Sequence, residues 1–306
     1  AWHWFANSRV KTLWEAAKES GYWSASAAFP TSVGAKGDFI APEFWWDGSS
    51  LDSLFIDAVA KPQGMILEME QEIGTYAGGL DESAHQYGVY SNEAKESLQK
   101  IDRMLGELIQ EAERITEGNL VVCVVSDHGS LDNTHNISPN VLLRKAGLLE
   151  TDDQGNVTDW KAYSQRAGGT AEIRLADPED QEAAECLKSV LDQMKADPES
   201  GILEVLDAAE AKERGGFPEA AYVLVSKKGY ELRDDTTGDY CRTKLTQKAQ
   251  HGYSENFPEM RASFMISGAG IKKGNVENVR LIDVAPTLAA IMGASLPDAQ
   301  GRNLLE

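Results

Sequence analysis

One stretch constrains this chain more than any other: NLVVCVVSDHGS, residues 119–130. Its apolar run 120–125 is continuous and mostly β-branched, with turn formers on either side. A run of this kind, without alternation, predicts a strand covered on both faces in a parallel sheet. In such sheets ligands gather outside the carboxyl ends of the strands. Asp127 and His128 stand at that position. A carboxylate and an imidazole side by side can both reach one cation when the backbone turns there, and Gly129 permits the turn. A polar turn without a ligand explains the pair equally well.

The rest of the chain reads as alternating helix and strand around that run. Residues 13–20 predict an amphipathic helix closed by Gly21, and 22–29 a short strand. The segments 51–60 and 64–73 look helical. Ser91 is a good N-cap, and Leu98, Ile101, Leu105, Leu108 and Ile109 recur at three or four, so 92–115 predicts a long helix ended by Gly118 and Asn119. Beyond Asn140 the texture changes. VLLRKAGLLE reads as helix, AEIRLAD as strand, PEDQEAAECLKSVLDQMKA as helix, AAYVLVSKKGYELR as strand or hairpin, and DDTTGDYC as a polar loop. ASFMISG then predicts another buried strand, and LIDVAPTLAAIMG a helix with Pro286 in its first turns and Gly293 at its end. Alternation of this kind argues for an α/β layered fold. The expected organisation is a core made of 1–139 and 251–306, with 140–250 as an inserted α+β, cap-like subdomain.

A chain of 306 residues has room for one large domain or two smaller ones. No apolar run approaches the roughly 20 residues of a membrane helix. With 29 Lys+Arg against 49 Asp+Glu and a formal net charge of −20, a nucleic-acid duplex or an anionic membrane is disfavoured as the main partner, because phosphate binding by side-chain charge wants clustered Lys and Arg. If the chain handles phosphate, bound cations have to help. Cys123, Cys186 and Cys241 make neither a CxxC nor a disulfide framework and set no compartment. The opening AWHWFANSRV lacks the pattern of a signal peptide, and sequence is expected upstream of it.

Two further groups join Asp127 and His128. In LDESAHQYG, Asp81 and His85 stand four apart and share a face if the segment is helical, although such pairs are more often solvated contacts. In AQHGYSENFPEM, His251 sits in a loop before the strand ASFMISG. Taken singly each has a bland explanation. Together Asp81, His85, Asp127, His128 and His251 supply oxygen and nitrogen ligands suited to zinc or a similar divalent ion.

These motifs resemble those of the alkaline phosphatase superfamily, in particular its type I phosphodiesterase and nucleotide pyrophosphatase branch. SDHG, the Asp81/His85 pair with Gly88, and HGYSENFPEM before ASFMISGAG are similar in order and spacing to that branch's DxxGHxxG, SDHGM or SDHGF, and HGYDN with PEM. The C-terminal IDVAPTLAAIMGASLPDAQGRNL is similar too. The resemblance implies an α/β/α sandwich with a mostly parallel central sheet and two metal ions, usually zinc. It implies that Asp81, His85 and His251 hold one ion and that Asp127 and His128 contribute to the other. It implies a hydrolase of phosphodiester or nucleotide pyrophosphate bonds, acting on a small phosphate ester or nucleotide through a Thr or Ser nucleophile. Alternatives are a phosphomonoesterase or phosphonate hydrolase of the same superfamily, or a protein that binds metal and a phosphorylated ligand without turning it over. A sulfatase is disfavoured because no Cys lies in a CxPxR context.

The chain departs from the family pattern in places. The strand and Thr/Ser loop that carry the nucleophile have no match in it and are expected upstream of Ala1; Thr31 and Ser32 fall where the family has a different loop and are read as packing. GTYAGG precedes Asp81 where a hydrophobic strand is usual, and Ala84 replaces a glycine. Asn256 and Glu255 are read as orienting the His251 loop, His135 as a loop residue, Asp283 as a cap or packing residue, and Asp234, Asp235 and Asp239 as a solvated acidic loop. Trp2, Trp4, Trp45 and Trp46 fit either core packing or stacking on a base.

Overall fold

The computed structural model describes residues 11–27, 39–41, 65–69 and 79–305. The Trp residues just named, Thr31, Ser32 and the expected helix 51–60 lie outside them. In chain order the elements are α1 (Leu13–Glu19), β1 (Trp23–Ala27), β2 (Phe39–Ala41), β3 (Met65–Met69), α2 (Leu80–Tyr87), α3 (Asn92–Thr116), β4 (Val121–Val125), β5 (Leu131–Asp132), β6 (His135–Ile137) and α4 (Pro139–Lys145). They continue with β7 (Leu149–Thr151), β8 (Val157–Trp160), β9 (Ala162–Ala167), β10 (Thr170–Leu175), α5 (Gln181–Ala196), β11 (Ile202–Asp207), α6 (Ala208–Glu213) and β12 (Tyr222–Ser226). Last come β13 (Tyr230–Leu232), β14 (Cys241–Arg242), β15 (Ala249–Gln250), β16 (Phe264–Gly268) and α7 (Val284–Met292). The chain is a mixed α/β protein, divided into two compact units, one of 1–79, 97–127 and 262–306 and one of 80–96 and 128–261.

In the first unit β2, β1 and β3 form a parallel sheet. The helix expected over 64–73 is instead strand β3. MILEM is built of good helix formers, and its pairing with β1 from Trp23↔Met65 to Ala27↔Met69 overrides that propensity. Strand β4 forms where the apolar run predicts it, but its described neighbour β16 runs antiparallel, Phe264 opposite Val125. Its residues are half-buried and Val125 is 44% exposed. An apolar run reports burial and carries no information on strand direction.

Helix α3 begins as expected, with Ser91 Oγ accepting from Ala94 N at 3.1 Å. A Cβ added to its mid-helix Gly106 would meet nothing within 4 Å. Gly106→Ala should therefore raise stability by about 0.5–1 kcal/mol, the ordinary cost of a helical glycine, readable in a denaturant titration.

At the C-terminal end Asp283 is a cap, as its position suggests. Its carboxylate is fully buried and accepts from Arg280 N at 3.0 Å, Arg302 N at 2.9 Å and Arg280 Nη2 at 3.1 Å. These N–H groups, the Arg280 amide first, hold its pKa down at about 2. A folded pKa below the unfolded one contributes stability that is complete above the ordinary value of 3.8 and is lost as pH falls through the folded value. Asp283→Asn should thus lower the melting temperature at neutral pH and flatten its fall between about pH 4 and 2.

The second unit has the main described core. Helix α5, capped by Asp180 Oδ1 accepting from Ala183 N at 3.0 Å, buries Ala183, Leu187, Leu191 and Met194. They pack with Ile173 of β10 and Leu224 of β12, in an antiparallel sheet ordered β11-β12-β10-β9. Val223 and Val225 face the other way, into a cluster with Leu206, Ala211 and Ala220. It is thus YVLVS that is covered on both faces. The expected helix 141–150 stops at Lys145; Gly147, at φ +76°, turns the chain and Leu149 starts β7.

Candidate metal centre

Two contacts within the second unit build the site. Strands β5 and β15 pair antiparallel, Leu131 with Gln250 and Asp132 with Ala249, which brings the loop after His128 beside the loop at His251. Ser130 Oγ adds a hydrogen bond to Gln250 O at 3.2 Å. Helix α2 docks on the same strand: Lys248 N donates to His85 O at 2.6 Å, and His85 Nδ1 lies 2.8 Å from Ala249 O.

LDESAHQY is helical, so Asp81 and His85 share a face, with Asp81 Oδ2 3.0 Å from His85 Nε2. His251 lies across from them. Its Nε2 is 3.9 Å from Asp81 Oδ1, its ring centre is 5.2 Å from that of His85, and it stacks on His128 at 3.8 Å. One ligand atom each from Asp81, His128 and His251 lie within 4.8 Å of one another, a group able to hold a metal ion. The structure thus gathers His128 with Asp81 and His251, with His85 hydrogen-bonded to Asp81. Asp127 belongs to the other unit, at its end beyond β4, and is exposed.

The electrostatics suit a cation. Burial pushes the Asp81 pKa up, but the His85 hydrogen bond and the nearby His85, His251 and His128 outweigh it, so the carboxyl lies below its usual range. His85 is raised, first by its hydrogen bond to Asp81. An oxygen and two imidazole nitrogens make a zinc-type donor set. A histidine whose Nδ1 faces a backbone carbonyl is oriented to offer Nε2, the usual support of a metal-binding histidine.

Other residues singled out in the sequence have other partners. Glu255 forms an ion pair with Arg214 at 3.8 Å, and Asn256 N donates to Ser254 Oγ at 3.3 Å. His135 stacks on Tyr230 at 4.5 Å. Asp234 and Asp235 are not simply solvated: Asp234 pairs with Arg166 at 3.4 Å, and Asp235 with Arg242. Asn133 and Tyr253, bonded to each other at 2.7 Å beside the site, are absent from the sequence expectations because their contact has no local signature.

No helix among the described residues is long and apolar enough to cross a membrane. No curated protein matches the chain. Among solved structures it is similar to murine ectonucleotide pyrophosphatase/phosphodiesterase 5, at 18% identity and a TM-score of 0.67 over 97% of this chain and 75% of that one. The human protein of the same name gives 17%, 0.68, 95% and 72%. Phosphonoacetate hydrolase from Sinorhizobium meliloti 1021, solved with phosphonoformate, gives 17%, 0.50, 94% and 74%. These likenesses concern the fold. A model of the type I phosphodiesterase / nucleotide pyrophosphatase family matches residues 1–254, most of the chain. With that match and the Asp/His group in place, the chain belongs to the type I phosphodiesterase / nucleotide pyrophosphatase family, a family of phosphoester hydrolases.

Proposed function

We propose that the protein hydrolyses phosphodiester or nucleotide pyrophosphate bonds of small molecules with two divalent ions, zinc in the first instance, on an α/β/α sandwich whose 140–250 insertion shapes the substrate entrance. The reading rests on one observation, the convergence of Asp81, His128 and His251 in a chain of this family. Asp81, His85 and His251 would hold one ion, and Asp127 with His128 would contribute to the other. Bound there, divalent ions would supply the positive charge that phosphoester hydrolysis needs in its transition state. The chain's own share is orientation and charge. Asp81 keeps its carboxylate ionised, and the Ala249 carbonyl holds the His85 ring so that Nε2 faces the cluster.

The test uses the full-length protein with zinc. A bis-aryl phosphate, a mono-aryl phosphate and phosphonoacetate are offered in parallel, with and without chelator. Faster turnover of the diester, lost on chelation, is expected. Preference for the monoester or the phosphonate moves the protein to the neighbouring activities of the superfamily, and no turnover of any of them sinks the catalytic reading. Asp127→Asn should lower the bound zinc per chain as measured by elemental analysis; an unchanged ratio removes Asp127 from the ligand set.

A further inference from the structure

Behind the candidate metal ligands, on the side of β13, lies a carboxylate that the chemistry above does not use. Glu231 is 0% exposed. Its Oε1 takes Arg233 Nη1 at 2.9 Å and lies 3.5 Å from Arg166 Nη1, while Oε2 accepts from Asn133 Nδ2 at 3.0 Å. Asn133 is buried as well and holds the His251 segment on both sides. Before the histidine, its Nδ2 also reaches Gln247 O at 3.2 Å, and its backbone N–H donates to Lys248 O at 2.8 Å. After the histidine, its Oδ1 accepts from Tyr253 Oη at 2.7 Å.

The polarity of this chain of bonds is forced from one end. The Glu231 carboxylate and the Gln247 carbonyl both accept, so Asn133 must turn its NH2 toward them. That turns the amide oxygen toward Tyr253, whose hydroxyl must then donate. The phenol ring has little freedom to answer otherwise, because it lies against Gly169 so closely that a Cβ there would come within 2.3 Å of it. The segment between the two anchors carries His251 and the Ala249 carbonyl that faces His85, and its strand β15 is only two residues long. A ladder that short fixes little by itself, so the side-chain clamp shares the placing of the segment with Ser130 Oγ on Gln250 O and Gly169 N on His251 O.

We propose that Glu231 is a positioning residue for the metal centre: through Asn133 and Tyr253 it sets the placement of His251, and thereby the metal affinity. The proposal rests on the metal-site reading above and concerns residues that touch neither metal nor substrate.

The test compares wild type, Tyr253→Phe, Glu231→Gln and the double variant as full-length proteins. Three quantities are read: the zinc Kd by chelator competition, and, in the metal-free protein, the melting temperature and the amide exchange of 249–254. Tyr253→Phe removes one hydroxyl and keeps the ring. It should weaken zinc by about 10–100-fold, the usual cost of losing an outer partner of a metal ligand, and speed exchange in 249–254 with the remaining β10 and β12 amides unchanged. Glu231→Gln should do the same, and the double variant should lose less than the product of the two single losses, because both act through Asn133. If Glu231→Gln does not fold, Tyr253→Phe decides alone. A folded Tyr253→Phe with zinc Kd within twofold of wild type overturns the proposal, as does a lowered melting temperature at unchanged affinity. Wild type that binds no zinc overturns the metal reading and this one with it; wild type that binds, with variants that bind equally, overturns the positioning role alone.

Discussion

His251→Ala should remove measurable hydrolysis and most of the bound zinc while leaving the fold intact. This is the largest functional effect expected from a single side chain. The imidazole stands at the centre of the cluster, 3.8 Å from the His128 ring, 5.2 Å from the His85 ring and 3.9 Å from Asp81 Oδ1. Alanine deletes the nitrogen and leaves an opening between the remaining donors. The loss should exceed the roughly 10–100-fold that an outer hydrogen-bonding partner costs, because the donor itself is gone. Stability should change little: the ring is half-buried, and the segment keeps its Asn133 and Tyr253 bonds. The measurements are zinc per chain by elemental analysis, diesterase rate and melting temperature. An unchanged zinc content would remove His251 from the site, and a large fall in melting temperature would mean that the variant reports on folding.

How far this centre was readable from sequence depends on the separation of its parts. The Asp81/His85 pair is local: a helix places residues four apart on one face, so the spacing put the two on one face if the segment is helical, and the structure has them 3.0 Å apart. SDHG at the end of an apolar run was local too, and strand β4 sits where that run placed it. Pairing between β5 and β15 joins Asp132 to Ala249, and Glu231 meets Asn133 98 residues away. Nothing near either partner announces such contacts. The same holds for Asp234 and Asp235, whose arginine partners Arg166 and Arg242 come from other elements. Strands β8, β9 and β11 escaped for a different reason: VTDW and AYSQRA mix polar and small residues without apolar alternation, and ILEVLD was lost beside the helical pattern before it. Where local chemistry and tertiary pairing disagreed, as at β3, pairing won.

Gly252→Ala should be strongly damaging, and it acts on the same centre through the backbone. Gly252 has φ +71°, and a Cβ there would fall 2.3 Å from Ala167 O. The left-handed conformation alone costs an L-residue about 1–2 kcal/mol, and forcing a methyl against packed backbone adds about 1–3 kcal/mol. On the order of 2–5 kcal/mol is therefore expected. Relief has no cheap direction. On the facing segment Gly169 N donates to His251 O at 2.9 Å, and a Cβ at Gly168 would lie 2.2 Å from that same oxygen. The two backbones meet with no side chain between them. To admit the methyl, 251–253 must lift from 167–169, which breaks the Gly169 bond and carries the His251 ring away from His128 and Asp81. Lower melting temperature and weaker zinc binding should therefore appear together, unlike in His251→Ala, where zinc is lost at nearly constant stability. A Gly252→Ala protein with wild-type melting temperature and zinc Kd would show that the loop does not need this close approach, and that the histidine is held by its side-chain contacts alone.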